Sequence, residues 1–491
     1  MMNERVEIPQ SACLAGVHTS DITPPVGIYH RMWGAATHDR SQGVSLPLRQ
    51  TTLVLSPSDN AKAAGTVHAF VAVDHCLLWT REMRSLLEQI EKTTGLSQDQ
   101  VTVLFSHTHA AGLMGLERTE CDGGDLIEPY LQTLADEIAR SIQIAVTRMQ
   151  TSTIVYGVGK CDLARNRDYL DPQTNSHVCG YNPHASADDT LVVARVQAET
   201  ASQPLAILVN YACHPTTLAW ENRLISPDYI GGLREVVERE TKAPLFFIQG
   251  ASGDVGPREG YVGDANVARR NGRQLGFAAI SALETLPCPG TSFEYAGPVV
   301  SGATLGTWRW TPMNDARRAA AAIWSEQQPG LNLAYRADLP NKQALLAERQ
   351  RWQDSEQQAI DEDDRDTARD ARAMAERMTR RLTRVELLPE GSHFPYQYRV
   401  WRIGDAVWIA LNGEHYNVLQ RDLRKQFPNT LLIIGTLANG SEVWYLPDHA
   451  SFGKGLYQED ASILAQGSLE QLRDHIIDTV TLLLDEEGAV G

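Results

Sequence analysis

Apolar runs that stay apolar residue after residue limit most strongly what this chain can fold into. The runs TTLVLS (51–56), HAFVAVDHCLLW (68–79), VTVLFSH (101–107), PLAILVNYACH (204–214) and APLFFIQG (243–250) show little alternation with polar residues. A strand with one wet face alternates with a period of two, so these runs belong to strands covered on both faces. Helical patterns lie between them, such as TREMRSLLEQIEKTTG (80–95), closed by Gly95, and YLQTLADEIARSIQIAVTRM (130–149). Strands alternating with helices of that length predict an α/β fold, with buried mixed β-sheets flanked by helices. Length alone would allow roughly two to four domains. No linker or low-complexity tract divides the sequence, so residues 1–491 read as a single domain.

The pattern breaks over residues 313–386, which are rich in Ala, Glu, Arg and Gln and nearly free of Gly and Pro from 341 onward. This predicts an inserted helical hairpin that reverses at DEDDRD. Its charges read as solvated helix faces; a cap over a cleft or a contact between subunits of a homo-oligomer is the functional alternative. Beyond it, YRVWRIGDAVWIALNGEHY predicts a β-hairpin turning at Gly404-Asp405, and NTLLIIGTLANG (429–440) a further buried strand.

Acidic residues outnumber basic ones, 61 against 44, for a formal net charge of −17. Nucleic acid or an anionic membrane surface would call for a basic face, so neither is expected as a partner, and a small-molecule substrate is. No basic segment followed by an apolar core opens the sequence, and no apolar run reaches the about 20 residues of a membrane helix. The seven cysteines are scattered without CxxC spacing, which argues against a disulfide framework or a thiolate zinc site and predicts a cytoplasmic protein.

Residue types that do chemistry recur where the apolar runs end. LFSHTHAAG presents His107 and His109, two apart and therefore on one side of an extended chain. NYACHPTTLAW presents His214, WIALNGEHY presents Glu414, and LANGSEVWYLP presents Tyr445. Strand ends of buried α/β sheets form the crevices in which ligands bind. Each residue alone could be a capped turn, a solvated carboxylate or an amphipathic tyrosine. Together, two imidazoles, a carboxylate and another oxygen donor make a chemically sensible set for Zn2+. No HExxH helix is present, so such a site would be assembled from distant segments.

In chain order, AGVHTSDITPP, VAVDHCLLW, SHTHAAG, LARNRDYLDP, NYACHPTTL with LISPDYIGG, GASGDVGPREG, NGEHY and YLPDHASFGKGLYQEDAS resemble the motifs of the neutral/alkaline ceramidases, in their N-terminal catalytic domain. The resemblance spans residues 14 to 470. It implies zinc held by His107, His214, Glu414 and Tyr445, with His109, Arg167 and Tyr457 meeting the substrate. It implies a zinc-dependent hydrolase that activates water against a carbonyl, of the amide-cleaving (amidase) type. Two departures stand out. Gly256 occupies the position of a serine in the family's Asp-Val-Ser-Pro loop, and the sequence stops without the immunoglobulin-like domain of the longer ceramidases. The first excludes a hydroxyl nucleophile at that position but leaves metal-activated water. The second, with the lack of a signal segment, turns the expected substrate from a membrane lipid to a small soluble amide. An esterase, a lactonase or a β-eliminating lyase acting on a sugar-acid-like substrate is the alternative chemistry, with Arg258 as an anion-binding residue. A non-catalytic metal- or ligand-binding protein is the alternative class. Asp74, Asp228 and Asp254 are expected to orient neighbours, and Asp21 to cap a turn. Segments 305–313 and 119–129 are candidates for the mouth of the site, with Trp308 or Trp310 in the core.

Overall fold

In the computed structural model, which describes residues 4–58 and 67–485, the apolar runs become strands of one eight-stranded sheet. In chain order these are β1 (Gln10–Asp21), β2 (Arg49–Pro57), β3 (His68–Val73), β4 (Val101–Phe105), β5 (Gln150–Lys160), β6 (Thr190–Ala198), β7 (Ala206–Tyr211) and β8 (Leu245–Gln249). Across the sheet they run β8-β7-β6-β5-β1-β2-β3-β4. The middle is antiparallel, and a parallel pair closes each edge, β7 with β8 and β3 with β4. Parallel neighbours need a crossover. Of the helices α1 (Thr80–Thr94), α2 (Ile127–Thr147), α3 (Tyr229–Thr241) and α4 (Ala265–Leu283), α1 and α3 supply the two crossovers. Gly95 ends α1 as the sequence implied, with φ of 76° and its N–H donating to the Glu91 carbonyl.

The strands lack alternation because both of their faces are covered. Val54, Val71 and Val103 pack outward on Met83, Leu86, Ile138 and Ile142 of α1 and α2. Leu53, Leu55, Phe70, Leu104 and Phe246 pack inward on a second sheet through Trp401 and Trp408. Burying a side chain such as Phe70 contributes about 1.5–3 kcal/mol. The second sheet contains β9 (Trp324–Gln327), β10 (Gly330–Ala334), β11 (His393–Ile403), β12 (Ala406–Leu411) and β13 (Leu431–Gly435), with β9 and β10 both on β11. β11 and β12 form the expected hairpin across Gly404-Asp405.

The helical hairpin consists of α5 (Lys342–Asp361) and α6 (Arg365–Glu386). The expected insertion began at 313. Residues 315–321 are a separate short helix, and β9 and β10 extend the second sheet, with Leu333 of the alternating GLNLA buried. The Ala-rich stretch before them carried the helical reading too far. Nor are the hairpin's faces simply solvated. Ala371, Ala375, Met378 and Leu382 of α6 are buried, and Arg118 is ion-paired to the buried Glu376. Helices α7 (Val418–Gln426) and α8 (Ser468–Asp485) cover the outer face of the second sheet through Leu419, Leu472 and Ile476. The order is thus helices, sheet, sheet, helices.

The first sheet curls, since Thr51 of β2 donates to the Leu245 carbonyl of β8 at 2.9 Å. The sheets are tied where Asn210 of β7 donates to the Ile434 carbonyl of β13 at 2.8 Å, and Leu104 bridges to Ala438. Curl and stacking together bring the C-terminal ends of β4, β7 and β12 to one place. Segment 305–313 lies elsewhere, in an exposed ribbon (Thr291–Ser301 with Ala303–Pro312). There Trp308 and Trp310 pack on Phe293, and neither enters the core. No helix among the described residues is long and apolar enough to cross a membrane.

Candidate active site

β4 ends at Phe105, and two residues later the backbone turns through a left-handed conformation at His107, φ 68°. That conformation is uncommon for a residue with a Cβ. It is held here by the His107 N–H donating to the His75 carbonyl at 2.9 Å and by Nδ1 donating to the Cys76 carbonyl at 2.8 Å. His214, beyond β7, is fixed in the same way: its N–H donates to Val255 and its Nδ1 to the Ser252 carbonyl, each at 3.1 Å. With both Nδ1 atoms engaged as donors, the two Nε2 atoms face each other at 3.0 Å. Glu414 Oε2 lies 3.1 Å from the His107 Nε2 and 3.8 Å from that of His214. His109 brings a third Nε2 to 3.2 Å from His214 and 3.4 Å from His107.

Imidazole lone pairs aimed at one another repel, whereas a cation set among them is ligated by all. His107, His214 and Glu414 thus form a candidate metal-binding group, their ligand atoms all within 4.8 Å of one another. Cys76, His107 and His109 satisfy the same distance test. There the thiol sits 3.5 Å from the His107 Nδ1, the nitrogen already given to a carbonyl, so the all-buried group with Glu414 is the coherent one. Burial pushes the imidazoles of His109 and His214 well below their ordinary pKa. Burial acts the same way on His107, but Cys76 and Glu414 outweigh it and raise that ring well above the ordinary value. Glu414 thus favours positive charge at the His107 Nε2, and a borderline divalent ion bound there would take the place of that proton.

Tyr445 reaches the group because Glu414–His415 and Tyr445–Leu446 pair as short parallel strands with Glu414 opposite Tyr445. Its phenol is hydrogen-bonded with Glu414, accepts from the Arg167 Nη2 at 3.0 Å, and its ring stacks on His214. Burial and the Glu414 charge raise the phenol well above its usual pKa, so ligation through this oxygen requires the field of a cation. Arg167 is buried, donates to the Gly253 carbonyl at 2.7 Å, and keeps an Nε without a hydrogen-bond partner. Tyr457 stands farther out, partly exposed, its ring 5.8 Å from that of Tyr445.

The acidic residues act as orienting groups. Asp21 accepts from the Thr23 N–H, Asp74 from Arg49 and Arg234, and Asp228 from Tyr229 and Leu218. Asp254 ties three segments, accepting from the Asn417 N–H and the Asn166 amide while its own carbonyl accepts from the Arg167 N–H. Burial, with the charge of Asp168, pushes its carboxyl up to about 7. The folded protein therefore holds this proton where the unfolded chain, with the ordinary aspartate value of 3.8, has lost it. Stability from this group falls as pH rises from about 4 to 7. Asp254→Asn should flatten that part of a melting-temperature profile, and an unchanged slope would contradict the assignment.

Arg258 does not join the cluster. Its half-exposed guanidinium is ion-paired with Asp162, away from the histidines. Ser252 does not replace the missing serine either, because its hydroxyl is held by Gln249 at 2.7 Å. At Gly256 an added Cβ would lie 3.5 Å from Thr216 Oγ1, 3.9 Å from Arg167 Cδ and 4.0 Å from His214 Cβ, all ordinary contacts. The position borders the site, and a serine fits there. Gly256→Ser is expected to fold with a melting temperature within about 2 °C of the parent, in line with small effects where nothing clashes.

Sequence reading missed an aromatic wall. The Trp33 ring lies 5.1 Å from that of His109, with Tyr261 at 5.7 Å and Trp220 at 6.3 Å from Trp33. These residues sit in irregular loops, where no periodicity marks a side chain's direction.

A family model described as neutral/alkaline non-lysosomal ceramidase, N-terminal, matches residues 13–262, which include His107, His109, Arg167 and His214. Glu414, Tyr445 and Tyr457 lie outside that match. The crystal structure of neutral ceramidase from Pseudomonas aeruginosa superposes with a TM-score of 0.64 at 15% identity, over 98% of this chain and 75% of that one. A structure described as ceramidase complexed with C2 gives 0.64 at 14% identity, over 98% and 76%. The fold is that of these proteins. With half of its sequence matched by the family model, the chain belongs to the neutral/alkaline ceramidase family of hydrolases.

Proposed function

We propose that the protein is a zinc-dependent amide hydrolase acting on a small soluble substrate in the cytoplasm. The observation that carries this reading is the convergence of His107, His214 and Glu414, with both histidine Nδ1 atoms committed to backbone carbonyls. Those three residues, with Tyr445, would hold the ion. Zinc at such a site supplies Lewis acidity toward a carbonyl oxygen and lowers the pKa of water. The chain's own groups do the rest. Arg167, anchored on Gly253 and Tyr445, offers its unpartnered Nε–H to negative charge developing on a carbonyl oxygen. His109, kept neutral by burial, can take a proton and deliver it to a departing amine. Tyr457, at the outer edge, can donate its hydroxyl to the substrate. Trp33 and Tyr261 shield the reacting groups from water. Seven cysteines scattered without CxxC spacing fit a reducing compartment.

Turnover of a panel of amides, lactones and glycuronides in heavy-oxygen water tests the chemistry. Hydrolysis places one labelled oxygen in the carboxylate product. An unlabelled product absorbing in the ultraviolet would mean β-elimination and would overturn the hydrolase reading.

A further inference from the structure

Helix α6 closes over the site between two walls. On one side Tyr29 and Arg118 engage Glu376, and Arg380 donates to the carbonyl of Met32, the neighbour of Trp33. On the other side Arg377 and Arg381 both bind Asp460, just beyond Tyr457. Glu376, Arg380 and Arg384 are spaced four apart and so share one helix face.

These carboxylates are already engaged, Glu376 by Arg118 and Asp460 by its two arginines. Among the described residues neither Arg380 nor Arg384 has a carboxylate at ion-pair distance, and the Nε of each is buried without a hydrogen-bond partner. Arg384 is 7% exposed, its guanidinium 3.8 Å over the ring of Trp444 and hydrogen-bonded with Tyr457. Stacking occupies the flat face of a guanidinium and leaves its edge, the part that grips a carboxylate with two parallel bonds. A cavity of about 190 Å³ opens on Arg384. In its wall Arg336 is neutralised by Asp338 and Arg381 by Asp460, so Arg384 is the cation left over. Burying a guanidinium without a counter-charge is unfavourable, and a substrate anion would remove that penalty. Arg380 holds the carbonyl of Met32, and the ring of the next residue, Trp33, lies 5.1 Å from that of His109, so this charge borders the aromatic wall of the metal-binding group.

We propose that Arg380 and Arg384 of α6 bind a carboxylate carried by the substrate, so that the amide cleaved next to the His107–His214–Glu414 cluster belongs to a small acidic molecule. This rests on the metal-dependent hydrolase reading above. The site is built for one negative charge beside a cleavable bond, on a helix whose composition alone suggested a solvated face.

The test uses binding, with zinc-loaded protein and glutaric monohydroxamate against its methyl ester, two probes with the same metal-binding head. The acid should bind at least about tenfold tighter at low salt, as expected for a charge-assisted pair. That ratio should fall below about twofold in Arg384→Gln, shrink in Arg380→Gln, and be partly kept in Arg384→Lys. Equal affinities for acid and ester in the parent would overturn the carboxylate site while leaving the metal centre standing. Tighter binding of a phosphonate-ended hydroxamate than of the carboxylate would overturn the assignment of the anion. Failure of both original probes to bind would overturn the metal-centre reading and this inference together.

Discussion

Zinc content should fall from about one equivalent to background when His107 and His214 are both replaced by alanine, because the remaining Glu414 and Tyr445 are too few to hold the ion. The Nε2 atoms of the two histidines are 3.0 Å apart and each ring is fixed by a backbone carbonyl; His109, 3.2 Å from His214, would leave one imidazole where there were three. Loss of a group that only orients a ligand typically lowers activity 10- to 100-fold. Loss of two ligands should therefore lower it by more than about 100-fold. Metal analysis of protein purified without added chelator gives the first result and turnover the second. A melting curve in chelator, expected to match that of the chelated parent, separates a lost site from a lost fold. Retention of stoichiometric zinc by the double variant would mean that the ion sits elsewhere.

Replacing Arg118 with leucine should destabilise the protein by about 3–5 kcal/mol, the range for breaking a buried ion pair from one side. Arg118 is 1% exposed, lies 3.2 Å from Glu376 and has its guanidinium over the ring of Tyr29. Burial works against the charge of Glu376, yet Arg118, with Arg380 and Arg372, keeps its carboxyl below the ordinary range. Without Arg118 that carboxylate remains buried among groups that no longer balance it. The loss should concentrate at α6, so trypsin should cut the arginine-rich hairpin faster at denaturant levels that leave the sheets intact. Adding Glu376→Met to Arg118→Leu should restore most of the stability, since a matched apolar pair leaves no orphaned charge. A loss below about 1 kcal/mol for Arg118→Leu would mean that the helix is held by its apolar residues alone.

The sheets were legible in the sequence because burial on both faces leaves an imprint that needs no partner to read. VTVLF and AILVNY are apolar at every position or nearly so, whichever strand lies beside them. The histidines and Glu414 were legible for a related reason: a polar residue that ends an apolar strand stands out against it. What stayed hidden depends on contacts between distant segments. Nothing local in residues 365–386 says that Arg380 meets the Met32 carbonyl or that Arg384 lies on Trp444. Trp33 gave no signal because a loop has no period. Arg258 shows the converse: an arginine in a glycine-rich loop looks free in the sequence, and only the fold sets Asp162 beside it.

His107 and Tyr445 stand more than 330 residues apart in the sequence, and the site between them exists only after both sheets have stacked. A ribosome will have released every residue between them before the last of these side chains emerges. Capture of the ion is thus an event of the finished molecule, unable to guide the early collapse of the chain that will carry it.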